Sequence, residues 1–321
     1  MPAPRILFVK LSSLGDVVHH LPAVTDLRAH RPDVRIGWAV EEAYAGLVKL
    51  HPAVGDVIPV GMRRLRRNPF SPRAWRDARA ALASVSRGRW DCVVDTQGLL
   101  KSAFVARRAH APVFGLDRTS ARERFAARFY DVKLHVPREL HAVERNRRLV
   151  AQVFGYRPDA APSYGLAAPP SPPAWVPERQ YVVLLHAASR AAKRWPDERW
   201  IALGALLAGA GYASVVPGGT PAERESARHL ASRIPDAVAA PAMALEEAAA
   251  LLAHASHVIG VDTGLTHLAV ALGRPTVGLY CATRAELTGL YGPDGVNVGR
   301  PGEVPSVDAV AAALGYVPPA P

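Results

Sequence analysis

The chain has 321 residues, 49% apolar and 21% charged, and its 39 Lys and Arg against 28 Asp and Glu leave a net charge of +11. That length suits two domains rather than one core, and the apolar share excludes a disordered chain. The positive field points to polyanionic partners: nucleic acid, an anionic lipid surface or phosphorylated small molecules.

Only two cysteines are present, Cys92 and Cys281, each on an apolar run. They exclude a disulfide framework and fit a reducing cytosol. The first apolar run, Ile6–Val9, stops at Lys10 and is too short for a signal peptide. No stretch approaches the roughly 20 apolar residues that cross a bilayer, so any membrane contact is expected to be peripheral.

In chain order, RILFV (5–9), VRIGWAV (34–40), DVIPV (56–60), WDCVVDTQG (90–98) and PVFGLD (112–117) read as strands. Amphipathic stretches lie between most of them, including Val17–His30 and Ala74–Ser86. A helix is expected over HAVERNRRLVAQVFGY (141–156), where apolar residues recur near the 3.6 period. The proline-rich run PDAAPSYGLAAPPSPPAWVP then reads as a semi-rigid linker, placed at 158–178.

After it the alternation restarts. Strands YVVLLHA, YASVVPGG, HVIGVD and PTVGLY are separated by helices expected at about 197–210, 221–233, 244–254 and 265–272. The fold class expected is α/β, with two Rossmann-like domains over 1–157 and 179–321 and a cleft between them. The last helix is expected to pack back on the first domain.

Several strand ends are placed for chemistry. In GVDTGLTHLAVALGRPTVGLY a strand ends at Asp262, and Thr263 and Gly264 open a helix carrying His267. Such a helix start offers free N–H groups to a phosphate, although an ordinary N-cap would look the same. Lys193, on the loop after the strand ending at His186, is placed to meet a diphosphate. Glu223, in the first turn of a helix starting at Pro221, suits a ribose diol or simply the helix dipole.

In the first half, MRRLRR sets four arginines on a loop or first helical turn, DTQGLLKS ends near Lys101, and TSARERFAARFY adds Arg122 and Arg124. Nucleic acid is not expected as the partner, because no aromatic-interleaved platform or nucleic-acid motif accompanies the charge. Neither a dinucleotide fingerprint nor a P-loop is present. The pairs His19–His20 and His254/His257 lack a third ligand, so no metal site is expected.

Taken together, VKLSSLGDVVHHLPAV, VDTQGLLKSA, HAVERNR, KRWPDERW and VDTGLTHLAVALGRPTVGLY closely resemble the lipopolysaccharide heptosyltransferases of glycosyltransferase family 9. The resemblance spans essentially the whole chain. The first-half motifs fit the family's type I enzymes better than type II, which stays as the alternative together with other acceptors.

The resemblance implies a GT-B fold, with ADP-heptose as donor and the Kdo of Kdo2–lipid A as acceptor. It implies an α-1,5 product formed with inversion, without metal or other cofactor, by a monomer peripheral on the cytoplasmic face of an anionic inner membrane.

Asp16 is then implied as the catalytic base, and Lys193 as the residue that stabilises the departing diphosphate. Ala188, Ser189, Lys193, Glu223, Met243, Asp262, Thr263, Gly264 and His267 are implied to hold the donor. Alanine at 188 departs from the paired hydroxyls usual in the family. Ser12, Ser13, Gly15, Arg63, Arg64, Arg66, Arg67, Gln97, Gly98, Lys101 and Arg122 are expected around the acceptor.

Overall fold

In the computed structural model residues 3–68, 70–158 and 161–315 are described, without the side chains of residues 65–67. The chain divides after Ala167 into two compact units.

The first unit runs β1 (Arg5–Val9), α1 (Leu14–Val18), α2 (Leu21–His30), β2 (Arg35–Glu41), α3 (Ala45–Lys49), β3 (Val54–Val60), α4 (Met62–Arg67), α5 (Pro72–Arg87), β4 (Cys92–Asp95), α6 (Leu100–Arg107), β5 (Val113–Leu116), β6 (Val132–Leu134) and α7 (Ala142–Phe154). The second runs β7 (Tyr181–Leu185), α8 (Asp197–Gly209), β8 (Ala213–Val216), α9 (Pro221–Ala231), β9 (Ala237–Ala239), α10 (Leu245–Ala253), β10 (His257–Val261), α11 (Gly264–Ala271), β11 (Thr276–Leu279), α12 (Ala285–Thr288), β12 (Gly295–Val298) and α13 (Val307–Ala313).

Each unit holds one six-stranded sheet, in the orders β3-β2-β1-β4-β5-β6 and β12-β11-β10-β7-β8-β9. All pairings between these strands are parallel. The two orders are the same Rossmann order, numbered from β1 and from β7. In each, the connection reverses direction beside the first strand, between β1 and β4 and between β7 and β10. Ligands of such sheets bind outside the strand ends at that switch point. The central strands are buried on both faces, which explains their continuous apolar runs.

The structure departs from the sequence reading in three respects. The helix expected over Val17–His30 breaks into α1 and α2, with His20 as N-cap and Pro22 in the first turn of α2. Strands β6, β9 and β12 escape the sequence reading, because each is an edge strand of only three or four exposed or half-buried residues. The proline-rich segment is also shared between the units. Ala167 N–H donates to Leu50 O (2.9 Å) on the first unit, and the Pro169 carbonyl lies 2.9 Å from His254 Nε2 on the second. At the far end of the chain, α13 packs on α8 and β12 within the second unit. Among the described residues no helix is long and apolar enough to cross a membrane.

Two core histidines give the first unit an acid sensitivity. His20 is buried edge-on to Phe8 and Trp38 (4.8 Å to each ring), and neither ring nitrogen has a partner among the described residues. Burial, with Lys10 and His51 nearby, pushes its pKa well below the usual value. Burial likewise lowers His51 to about 4. The folded state therefore excludes protons that the unfolded chain binds near pH 6.5. Stability is full above that pH and falls as pH drops toward 4, by roughly 3 kcal/mol for a shift of His51's size. Urea midpoints at neutral pH and near pH 4.5 should differ accordingly, and His20→Phe should shrink the difference. An unchanged difference would remove His20 as a contributor. The hydrogen-bonded carboxylates Asp117, held at about 2, and Asp262, lower still, lose their share only at more acid pH.

Candidate active site

The loop after β1 builds the first unit's site. Ser13 is the N-cap of α1 and Asp16 its third residue. Asp16 Oδ2 accepts from Ser13 N–H (2.8 Å) and from the Ser13 hydroxyl (3.0 Å), with Arg122 3.7 Å away. No hydrogen bond from the described residues reaches Oδ1. One carboxylate oxygen thus caps the helix and the other is left for chemistry. The side chain is 30% exposed, so a substrate can reach it.

The loop after β4 fixes this geometry. Gln97 Oε1 accepts from Leu11 N–H (2.6 Å) and its amide donates to the Ser12 carbonyl. Lys101 donates to the Ser12 hydroxyl (2.7 Å). Buried Asp95 in turn accepts from Gln97 N–H (2.9 Å), Gly98 N–H (3.2 Å) and the Tyr130 hydroxyl (2.8 Å). Burial raises the Asp95 pKa against those hydrogen bonds. Gly98 has φ +67° and lies close under the Arg122 backbone, where a side chain would be strained. Ser12, Gln97, Gly98 and Lys101, expected around an acceptor, therefore brace the Asp16 loop in this structure.

A pocket beside Asp16 is lined by Lys10, His19, Thr96, Gln97, Arg122, Arg145 and Asn146. Lys10, only 6% exposed, donates to Thr96 O (2.9 Å) and Asn146 Oδ1 (3.1 Å). Burial lowers its pKa to about 8, against the pull of Asp16 and Asp95. The buried Thr96 hydroxyl and Arg145 Nε have no partner among the described residues. Three cations around one carboxylate suit an anionic ligand carrying a hydroxyl. Of the arginines expected here, Arg122 lines the pocket, whereas Arg63 and Arg64 do not. Arg63 donates to the Tyr44 hydroxyl (2.5 Å), and Arg64 is paired with Glu42 and with Asp77 (2.6 Å). The side chains of Arg66 and Arg67 lie outside the described residues.

Lys10, Thr96, Arg145 and Asn146 were not among the expected site residues. Thr96 lies in DTQG, and Arg145 and Asn146 in HAVERN, segments that already carry the family resemblance, whereas Lys10 closes an apolar run and reads as a boundary.

In the second unit, Asp262 leaves β10 at the switch point. Its Oδ2 accepts from Lys193 Nζ (2.6 Å) and the Thr283 hydroxyl (2.7 Å), and its Oδ1 lies 3.4 Å from His267 Nε2. Burial acts to raise its pKa, but these three partners outweigh burial and hold it well below the usual carboxylate range. Thr263 caps α11, its hydroxyl 3.4 Å from Leu265 N. Helix and strand meet closely, because a Cβ on Gly260 would lie 2.3 Å from Thr266 Oγ1. Lys193, Asp262, Thr263, Gly264 and His267 are thus brought together at a helix N-terminus, an arrangement suited to a diphosphate.

The other expected donor contacts are placed less directly. Glu223 Oε2 accepts from Gly219 N–H (3.0 Å) and Thr220 N–H (2.8 Å), closing the turn after β8. Met243 is half-buried on the loop after β9. Ser189 is exposed, while the Ala188 methyl packs in the core. Among the described residues no group of three His, Cys, Asp or Glu is placed to hold a metal ion.

Two Rossmann-like units, each with polar and charged side chains gathered at its switch point, give the chain the GT-B architecture. The chain belongs to glycosyltransferase family 9, the heptosyltransferases, whose sequence profile matches residues 79–314. The lipopolysaccharide heptosyltransferase 1 of Pseudomonas aeruginosa is 42% identical over 300 residues, covering 92% of this chain and 83% of its own. That of Salmonella typhimurium is 41% identical over 290 residues, covering 90% and 92%. Among solved structures, E. coli heptosyltransferase WaaC with ADP matches at a TM-score of 0.89 and 40% identity, over 96% of this chain and 98% of that one. The E. coli ADP-heptose heptosyltransferase II, at 20% identity and a TM-score of 0.74, shares the fold.

Proposed function

We propose that the chain transfers L-glycero-D-manno-heptose from ADP-heptose to the Kdo of Kdo2–lipid A, forming an α-1,5 bond with inversion, on the cytoplasmic face of the inner membrane. The observation that carries this is Asp16 with an unengaged oxygen beside Lys10, Arg122 and Arg145. The WaaC complex named for ADP-2-deoxy-2-fluoro heptose, 39% identical, supports the donor.

In this reading the cations hold the acceptor carboxylate and leave its hydroxyl against Asp16 Oδ1. An alcohol is too weak an acid to ionise first. The carboxylate takes the proton as the new C–O bond forms and the anomeric carbon–phosphate oxygen bond breaks, worth roughly 10²–10⁴-fold. ADP leaves with negative charge developing on its diphosphate, which Lys193 and the first turn of α11 stabilise. Lys193, exchanging its ion pair with Asp262 for the diphosphate, and the helix start then supply the positive charge that a divalent ion would otherwise bring, and the proposed reaction needs none.

The test is heptose transfer with ADP-heptose and Kdo2–lipid A in the presence of a chelator. Transfer confined to an already heptosylated acceptor would instead assign a type II activity, and a strict metal requirement would remove the charge argument. Lys193→Ala should weaken ADP binding roughly ten- to hundredfold, the loss of one charge-assisted hydrogen bond of ~1.5–3 kcal/mol. Calorimetric titration with ADP measures it, and an unchanged affinity would count against the diphosphate role.

A further inference from the structure

The surface formed by α6 and the 3-10 turn Arg124–Phe129 is inverted with respect to ordinary packing. In the turn, Ala126 and Ala127 are buried while Phe125 and Phe129 are 62% and 45% exposed. On α6, Ser102, Ala103, Val105 and Ala106 face the core, while Leu100 and Phe104 are 44% and 43% exposed. Small residues are turned inward and large apolar ones outward, which forgoes burial that would stabilise the fold.

The two elements lie side by side. Leu100 N–H donates to Glu123 Oε2 (2.6 Å) at their starts, and Arg107 pairs with Asp131 (2.9 Å) at their ends. Their exposed groups therefore form one strip, continued by exposed Val132. Five of the ten large apolar side chains exposed among the described residues lie in it.

The strip is also basic. The Arg108 guanidinium sits 4.7 Å from the Phe104 ring and that of Arg128 5.2 Å from Phe125. Arg122 and Arg124 are exposed beside them, and the acidic Glu123 and Asp131 are engaged in the contacts just named. Apolar rings that enter an interface between guanidiniums that stay at headgroup level are the chemistry of a peripheral membrane contact, with anionic headgroups as the complementary charge. Lys101 and Arg122 join the strip to the Asp16 pocket of the same unit.

We infer that this strip docks the protein on an anionic phospholipid bilayer, so that a lipid-borne acceptor meets the Asp16 pocket at its edge. The activity part of this inference rests on the proposed acceptor, whereas the docking part does not.

The experiment is flotation of the full chain with vesicles of phosphatidylcholine alone, or of three parts phosphatidylcholine to one part phosphatidylglycerol. It is paired with the variant Phe104→Ser/Phe125→Ser/Phe129→Ser, whose changed residues are all exposed and whose fold is checked by its melting transition. The parent should float with the anionic vesicles and be released by salt, and the variant should bind about tenfold more weakly or worse. Transfer to a deacylated, soluble acceptor should stay within about twofold, while transfer to vesicle-embedded acceptor falls about tenfold. A parent that does not float, or a variant that floats equally well, overturns the inference. So does a dimer in sedimentation that the variant abolishes, since the strip would then belong to a second copy. Loss of flotation in the variant, with no transfer to any acceptor by the parent, leaves the docking surface standing and removes the acceptor reading.

Discussion

Asp16→Asn should lose roughly 10²–10⁴-fold in turnover while ADP affinity and melting temperature stay near those of the parent. The amide is chosen because it separates two roles. Asp16 Oδ2 accepts from Ser13 N–H and the Ser13 hydroxyl, and an asparagine oxygen can go on accepting both. The amide cannot take up a proton as the glycosidic bond forms. Asp16→Ala would remove both functions, with a helix-cap loss of about 1 kcal/mol added to the chemical defect. Single-turnover transfer at saturating donor reads the chemical step directly. An Asp16→Asn enzyme within tenfold of the parent would assign the carboxylate to capping alone and send the search for a base elsewhere in the pocket.

The second large effect is on stability. Arg147, at 1% exposure, donates to Asp26 through Nε (2.7 Å) and the second terminal nitrogen (3.2 Å), and to Glu144 (2.8 Å). Arg147→Met should destabilise the protein by about 3–5 kcal/mol, because Asp26 would be left buried without its partner. That is a large part of the ~5–15 kcal/mol that holds an ordinary domain together. Replacing both partners, as Arg147→Met/Asp26→Leu, should return most of the loss. Urea unfolding of both variants distinguishes the cases, and a single variant within about 1 kcal/mol of the parent would show that the pair contributes little. The pair ties α7 to α2, and α7 also carries the pocket residues Arg145 and Asn146. Turnover should therefore fall with stability in the single variant and recover in the double.

The sequence made the central strands legible because burial on both faces leaves uninterrupted apolar runs, as in RILFV and YVVLL. Edge strands such as Ala237–Ala239 escape that signal, since their exposed residues carry no pattern. Asp262 was legible for a related reason, closing a strong strand just before α11, and Asp16, in the first turn of α1, was legible through the family resemblance. Lys10 was not, because a lysine closing an apolar run reads as a boundary. Its role depends on Asn146, 136 residues away, and no local pattern encodes that meeting. The arginines show the opposite error. The density of MRRLRR points to Arg63 and Arg64, yet Tyr44, Glu42 and Asp77 engage them, while Arg145 of HAVERNRR lines the pocket. Composition counts charges, and only tertiary structure says which are already neutralised.

The repeated strand order and the divided proline-rich segment have a consequence for how this family diversifies. The proposed acceptor-recognising residues all precede Ala167 and the proposed donor-recognising ones all follow it, on two units with separate cores. With sites so divided, the side chains around Lys10 and Arg122 can change for a new acceptor without reworking the proposed nucleotide-sugar site at Lys193 and Asp262. A lineage built this way changes what it glycosylates more readily than what it glycosylates with.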